Sequence, residues 1–239
     1  MNKGTILNFL SFFEDLSWLE WIVFSLAANT FLYFFSIGLY LFIDKTCPKN
    51  KIQTTDHPLL KSDLYLSLLT LFLNSVVMLI GVYLWRSGWI SLNESKTTLA
   101  LLVEIILLTL VMDLLMYIFH YLAHHAFIYK ILHRKHHEHT STNFLSLFVL
   151  HPFETLGFGL MIIFVVMLHD FSVFSITVYL FINLIWGTIG HLNREFFPKW
   201  TEKLFLGTTK FHNQHHLNEH KNFGFYTSVW DRIFGTYKS

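Results

Sequence analysis

Long apolar runs alternate with short polar stretches along this chain of 239 residues. Runs of spanning length occupy about 17–43, 63–86 and 97–119, each near or above the ~20 residues that cross the hydrocarbon core of a bilayer. Two more follow at about 145–168 and 171–190, parted only by His169 and Asp170. The stretch 145–190 therefore reads as a tight hairpin, either crossing or re-entrant. The pattern predicts an all-α polytopic membrane protein with about four to five apolar helices, forming one integral membrane domain over 1–239. Residues 120–143 and 191–239 are mixed polar and aromatic, and are expected to form a helical cap. Gly157 and Gly159 fall inside an apolar run and suit close helix packing.

Composition agrees with a membrane protein. The chain is 53% hydrophobic and 14% charged, with 26 Phe and a mean hydropathy of +0.46, whereas soluble domains carry about 25% charged residues. Cys47 is the only cysteine, which excludes internal disulfides, cysteine zinc sites and iron–sulfur clusters. The N-terminus is not expected to be a signal peptide, because Glu14 and Asp15 stand where a basic run and a short apolar core are required. A net charge of +1 says little, and no nucleic-acid partner is expected.

The placement of charge says more. If the 44–62 loop faces the cytoplasm, parity puts 128–143 and the C-terminal segment there too. Those regions hold fourteen of the seventeen Lys and Arg, leaving Lys3, Arg86 and Lys96 opposite. This bias follows the positive-inside rule. With a short chain and no dilysine-type C-terminal signal, a bacterial inner membrane is expected rather than an endoplasmic reticulum.

The same orientation gathers the histidines on one face. Eleven of the fifteen fall in three clusters: His120, His124 and His125; His133, His136, His137 and His139; and His212, His215, His216 and His220. Neutral imidazole is the commonest protein metal ligand, and residues three or four apart share a helix face. The HxxxH and two HxxHH spacings aim several imidazoles together and offer more nitrogens than one ion can use, so two ions are expected. In each HxxHH, two imidazoles can face one ion and the third its neighbour. His191 emerges on the same side as a ninth candidate. His125, His139 and His220 are expected in solvent or behind the ligands, and His57 and His169 in structural roles. Asp113, Tyr117, His120 and His124 form one polar stripe, with Asp113 expected to accept from a ligand imidazole N–H. His151 and Glu154 suit either support of the metals or structural hydrogen bonding. Glu104 has no assigned role.

This ordered set of boxes resembles the fatty acid hydroxylase / sterol desaturase superfamily. The likeness includes Asp113 and Tyr117 before His120, the His133–His137 run, His151-Pro-Phe-Glu154, Asn222-Phe-Gly224 and Trp230–Thr236, and covers roughly 97–239. The stretch Ala123–Glu154 looks nearest the sterol-ring desaturase branch. The resemblance implies that His120, His124, His133, His136, His137, His191, His212, His215 and His216 bind two irons, which zinc can replace during purification. It implies a non-haem oxygenase that uses O2 and two electrons to hydroxylate or desaturate an unactivated C–H bond of a lipid, with all of these but His191 taken as catalytic. Some relatives carry a further ligand histidine four residues after His191; here Glu195 stands there as a candidate. Asp231 joins Asp113, His151, Glu154 and Glu195 as a supporting candidate.

No dinucleotide fingerprint, phosphate loop or haem-ligating domain is present, so a b-type cytochrome or a ferredoxin with its reductase is implied as electron donor. Lys199, Lys203 and Lys210 could dock an acidic carrier. Phe196, Phe197, Trp200 and Phe205 suit an interfacial element of the cap. A metal transporter would need ionisable residues strung through several spans, whereas the first two are nearly free of them and the histidines gather at one membrane face. A zinc hydrolase needs only about three ligands. A non-catalytic lipid-binding protein would have no need of every box intact.

Overall fold

The computed structural model describes residues 10–93 and 96–238, so Lys3 of the charge argument and most of the N-terminal segment lie outside it. Among the described residues, four helices are long and apolar enough to cross a membrane: α1 (Trp18–Thr46), α2 (Lys61–Arg86), α3 (Thr98–Ala123) and, later, α7 (Val173–Gly190). Between them come α4 (Ala126–Leu132), α5 (Arg134–His137) and α6 (Pro152–Met167). The cap adds α8 (Thr209–Leu217) and α9 (Val229–Phe234). Starts are set by local chemistry. Ser17 and Glu20 make a reciprocal capping box on α1, and the Thr97 and Ser172 side chains cap α3 and α7.

The run expected from 145 becomes helical only at Pro152. Ser146 Oγ accepts from Asn143 N and Asn143 Oδ1 from Leu145 N, which ties this stretch into a turn and a single 3-10 turn at Ser146–Phe148. Pro152 then holds His151 extended. The 16 residues of α6 rise about 24 Å. The hairpin nevertheless reaches the end of the bundle where α3 begins. There Asn93 N donates to Phe171 O, Lys96 pairs with Glu104, and Glu104 Oε2 accepts from Ser172 N and Ser175 Oγ. Glu104 thus locks the hairpin turn to α3.

The outer face of the bundle is apolar, and its interior sets buried hydroxyls among apolar side chains such as Leu108, Met112 and Val165. Phe31, Phe34, Phe42, Leu99, Leu102 and Ile106 face outward, while Ser25, Ser36, Ser67, Thr70 and Ser75 are buried. Ser25 Oγ donates to Ser75 O (2.8 Å), Tyr33 OH meets Ser67 Oγ (3.0 Å), and Ser36 Oγ meets Thr188 Oγ1 (2.8 Å). In lipid there is no hydrophobic drive between helices, so small residues and interhelical hydrogen bonds hold them. A Cβ at Gly157 would lie 2.5 Å from Phe119, and one at Gly159 would lie 2.6 Å from Val77; both glycines are packing positions. The 47–60 loop meets the cap, where Asn193 Nδ2 donates to the Gln53 and Thr55 carbonyls and to Asp56. The basic loop and the three histidine boxes therefore share one end of the bundle.

Candidate metal centre

Helical spacing decides which histidines meet. α3 ends in His120 and His124, His133 joins α4 to α5, and α8 carries the third box. Their ligand atoms form two groups: His120, His124, His133, His137 and His215; and His136, His191, His212 and His216. Each i,i+4 pair (120/124, 133/137 and 212/216) shares a group, because residues four apart lie one above the other. Adjacent residues diverge by about 100° on a helix, so His136 and His137 go to different groups, as do His215 and His216. His191 reaches the second group from the end of α7.

Hydrogen bonds fix where the protons sit. A carbonyl can only accept, so Nδ1–H must donate to Phe223 O from His120 (2.9 Å), to Val149 O from His136 (3.4 Å), to Gly187 O from His191 (2.8 Å) and to Lys221 O from His215 (2.7 Å). His133 Nδ1 meets the Glu154 carboxylate at 2.6 Å. In a neutral ring the other nitrogen, Nε2, is then a bare lone pair. Yet His120 and His133 bring Nε2 atoms to 3.0 Å, and His136 and His191 to 3.3 Å. Lone pairs facing at that range repel unless a cation lies between them. Metal–nitrogen bonds of ~2.0–2.1 Å place neighbouring ligand atoms about 3.0–3.5 Å apart, so the spacing suits coordinated ions. His137 and His215 (3.0 Å), His191 and His212 (3.2 Å), and His212 and His216 (3.1 Å) repeat it.

Burial keeps these rings neutral. It is the chief cause pushing His137 down to about 3 and His191 to about 4, and it holds His133, His136, His212, His215 and His216 well below the ordinary histidine value, with neighbouring imidazoles adding repulsion. At neutral pH each presents a lone pair without first losing a proton. All nine are buried except the half-buried His124. A site of imidazoles alone suits iron, zinc, copper or nickel.

The supporting residues separate into distinct jobs. Glu154 orients His133. Asp113 departs from the expected role: its carboxylate accepts from Tyr226 N (2.9 Å), Thr227 N (3.2 Å), Thr227 Oγ1 (2.5 Å) and Trp230 Nε1 (3.1 Å), and from no ligand imidazole. It pins the cap to α3, as does Tyr117 through Thr236 Oγ1 (3.1 Å). Asp231 accepts from Phe223 N and Gly224 N, which fixes the carbonyl that receives the His120 proton. A Cβ at Gly224 would lie 2.1 Å from Thr227 O, so only glycine fits that turn. Glu195 lies outside both groups; its oxygens accept from Phe197 N and Lys210 N and close the cap loop. His151 caps α6 through Phe153 N (3.4 Å). His125 and His220 are exposed, as is His169, 3.5 Å from Glu104.

Sequence reasoning missed three features. The Nδ1 acceptors Val149, Lys221 and Phe223 are backbone groups with no side-chain signature, although Gly187 O, one helical turn before His191, was readable from spacing. Tyr129, bonded to Glu219, packs 5.2 Å from the His124 ring. His139, expected in solvent or behind the ligands, is fully buried beside His57 and Asp63. In the cap, Phe196, Trp200 and Phe205 are exposed, while Phe197 packs on Trp186.

A family model described as fatty acid hydroxylase matches residues 105–236. The human fatty acid hydroxylase domain-containing protein 2 is 32% identical over 91% of this chain and 68% of its own length. A Dictyostelium discoideum protein provisionally named a methylsterol monooxygenase is 27% identical over 79% of the chain and 73% of its own. The very-long-chain aldehyde decarbonylase GL1-4 of rice is 28% identical over 52% of the chain but only 22% of its own length. No solved structure matches.

Proposed function

The chain belongs to the fatty acid hydroxylase family, and from that premise we propose that it is a membrane-bound di-iron oxygenase that uses O2 and two electrons to hydroxylate or desaturate an unactivated C–H bond of a fatty acyl or sterol lipid. The observation that carries this reading is the convergence of nine histidines, eight of them buried and His124 half-buried, into two groups in which pairs of Nε2 atoms face one another at 3.0–3.3 Å. Two irons held there would supply activation of dioxygen and removal of hydrogen from saturated carbon, chemistry that belongs to the metals.

The chain's own residues hold and shield that pair. Glu154 and the Phe223, Val149, Gly187 and Lys221 carbonyls keep the Nδ1 protons of His133, His120, His136, His191 and His215 away from the metals, leaving those Nε2 atoms free. The cap, anchored by Asp113 and Asp231, covers the histidines on the polar side and excludes water. The five-histidine group fills one more position than the four-histidine group, which leaves the second more room for exchangeable ligands. Exposed Tyr121, Leu122, Phe127 and Ile131 flank the half-buried His124, and offer a lipid-facing approach for the substrate. Lys199, Lys203 and Lys210 are exposed on the cap, where a cytochrome or ferredoxin would dock from the cytoplasmic side.

The test begins with metal analysis of detergent-purified protein, followed by mass spectrometry of sterol and fatty acyl lipids incubated with iron-loaded protein, reductant and O2. Near two metals per centre pair and a product heavier by one oxygen, or lighter by two hydrogens, is the expected result. His136→Ala should cut turnover by at least ~100-fold while membrane insertion persists. Full activity in that variant sinks the ligand assignment.

A further inference from the structure

His57, Asp63 and His139 converge at a third place, outside both histidine groups. Asp63 lies in the first turn of α2, His57 in the loop before it, and His139 just after α5. The three ligand atoms lie within 4.8 Å of one another. His57 Nε2 is 3.8 Å and His139 Nε2 3.5 Å from the same Asp63 oxygen, Oδ2. The two imidazoles stack at 3.8 Å with planes 23° apart, so both present Nε2 side by side. The Asp63 and His139 side chains are 0% exposed.

Among the described residues, none of those three atoms has a hydrogen-bond partner. A buried polar atom left unpaired is costly, and three aimed at one point mark a missing shared partner. The rest of each residue is already fixed. Asp63 Oδ1 takes Ser62 Oγ (3.1 Å) and the Lys135 ammonium (3.5 Å), which turns Oδ2 inward. His139 Nδ1 meets Ser146 Oγ (2.8 Å). The His57 backbone is held at both ends, its N–H on Thr142 O and its carbonyl on Asn143 Nδ2. A direct hydrogen bond should close to about 2.7–3.2 Å; these atoms stand off. Ligands bound tetrahedrally at ~2.0–2.2 Å lie about 3.3–3.6 Å apart, close to the separations found.

We propose that His57, Asp63 and His139 bind a third divalent transition metal of the zinc class, with water completing the shell on the partly exposed His57 side. Two imidazoles and one carboxylate are a recurrent donor set for zinc and ferrous iron. Lys135 offsets one charge of Asp63 from the opposite oxygen, and Glu138 takes the other side of that ammonium (2.7 Å). The ion ties the 47–60 loop and the start of α2 to the segment two residues past His137. It is a clamp between the N-terminal helices and the second histidine box.

The experiment strips the full-length detergent-solubilised protein with chelator, reloads it with zinc alone, and counts zinc per chain. Wild type is expected to hold three, and His57→Ala two, with the loss confined to this site. Anomalous scattering at the zinc edge should give a peak between His57, Asp63 and His139 in the wild-type protein, which needs no variant to fold. Equal zinc in wild type and His57→Ala, or no anomalous peak there, overturns the proposal. If instead the nine-histidine reading fails, wild type holds a single zinc that His57→Ala removes, so the two failures are distinct.

Discussion

Helices α1 and α2 meet through hydroxyl groups, Ser25 with Ser75 and Tyr33 with Ser67, and contribute no residue to either histidine group. From α3 onward, contacts are carried by carboxylates and imidazoles: Asp113 on the cap, Asp231 on the Phe223 turn, Glu154 on His133. Along the length of α1 and α2 these are weak, replaceable interactions that serve membrane packing, with buried Asp63 at the cap end of α2 the exception. The second half concentrates buried polar groups that must all be satisfied together, since each one left alone is costly. Stability and metal binding should therefore respond to different halves of the chain.

Acid should expose that contrast most strongly. Unfolded histidines titrate near ~6.5, whereas folded His137 and His191 lie at about 3 and about 4. Between those values the unfolded chain binds protons that the folded chain refuses, so stability is present above pH ~6.5 and is lost as pH falls. These two residues alone remove on the order of 4 kcal/mol between pH 7 and 5. Hydrogen exchange on metal-free protein should show α5 and α8 opening at pH 5 while α1 and α2 stay protected. Uniform opening would mean the halves are one cooperative unit.

Next in size is Glu154→Ala. Removing the carboxylate leaves the His133 Nδ1–H buried and unpaired, and loss of such a partner lowers metal affinity by ~10–100-fold. Competition with a chelator at fixed pH measures it. Asp113→Asn should act on the other term. Its amide cannot accept from all four donors of the cap, so stability should fall by about 1–3 kcal/mol, while the affinity of the folded protein for metal moves less than ~3-fold. Weaker metal binding at unchanged stability would return Asp113 to the imidazole role that its place in the α3 stripe suggests.

That stripe shows what a linear pattern conveys. Spacings of three and four along α3 put Asp113, Tyr117, His120 and His124 on one face, and the apolar runs locate the four long helices within a few residues. The grouping of His120 with His124 and of His212 with His216 follows from helix geometry alone. What meets a face is set by distant chain. Asp113 finds residues 226–230 and His120 finds the Phe223 carbonyl, contacts spanning over a hundred positions. His57 stands alone in its loop and His139 closes the second histidine cluster, so nothing in the linear pattern pairs them; only the fold of the 47–60 loop onto the cap makes them neighbours. Helix α6 begins at Pro152, inside the apolar run that opens at 145, because Asn143 and Ser146 satisfy the backbone of the preceding stretch in a turn instead of a helix.

The smallest expected effect is the most discriminating. Ser36 Oγ and Thr188 Oγ1 form a buried link between α1 and α7, and Thr188 lies three residues before His191. Interhelical hydrogen bonds in membrane proteins contribute on average about 0.6 kcal/mol, so a Ser36→Ala and Thr188→Ala double-mutant cycle should give a coupling of that order. Metal affinity should not change. The end of α7 is held independently, by Thr209 Oγ1 on Ile189 O (2.9 Å) and by the Asn193 contacts to the 47–60 loop. His191 also keeps its Gly187 acceptor within α7 itself. A fall of tenfold or more in metal affinity for Ser36→Ala would show that α1 positions His191 through Thr188, and the first half of the chain would then belong to the metal centre.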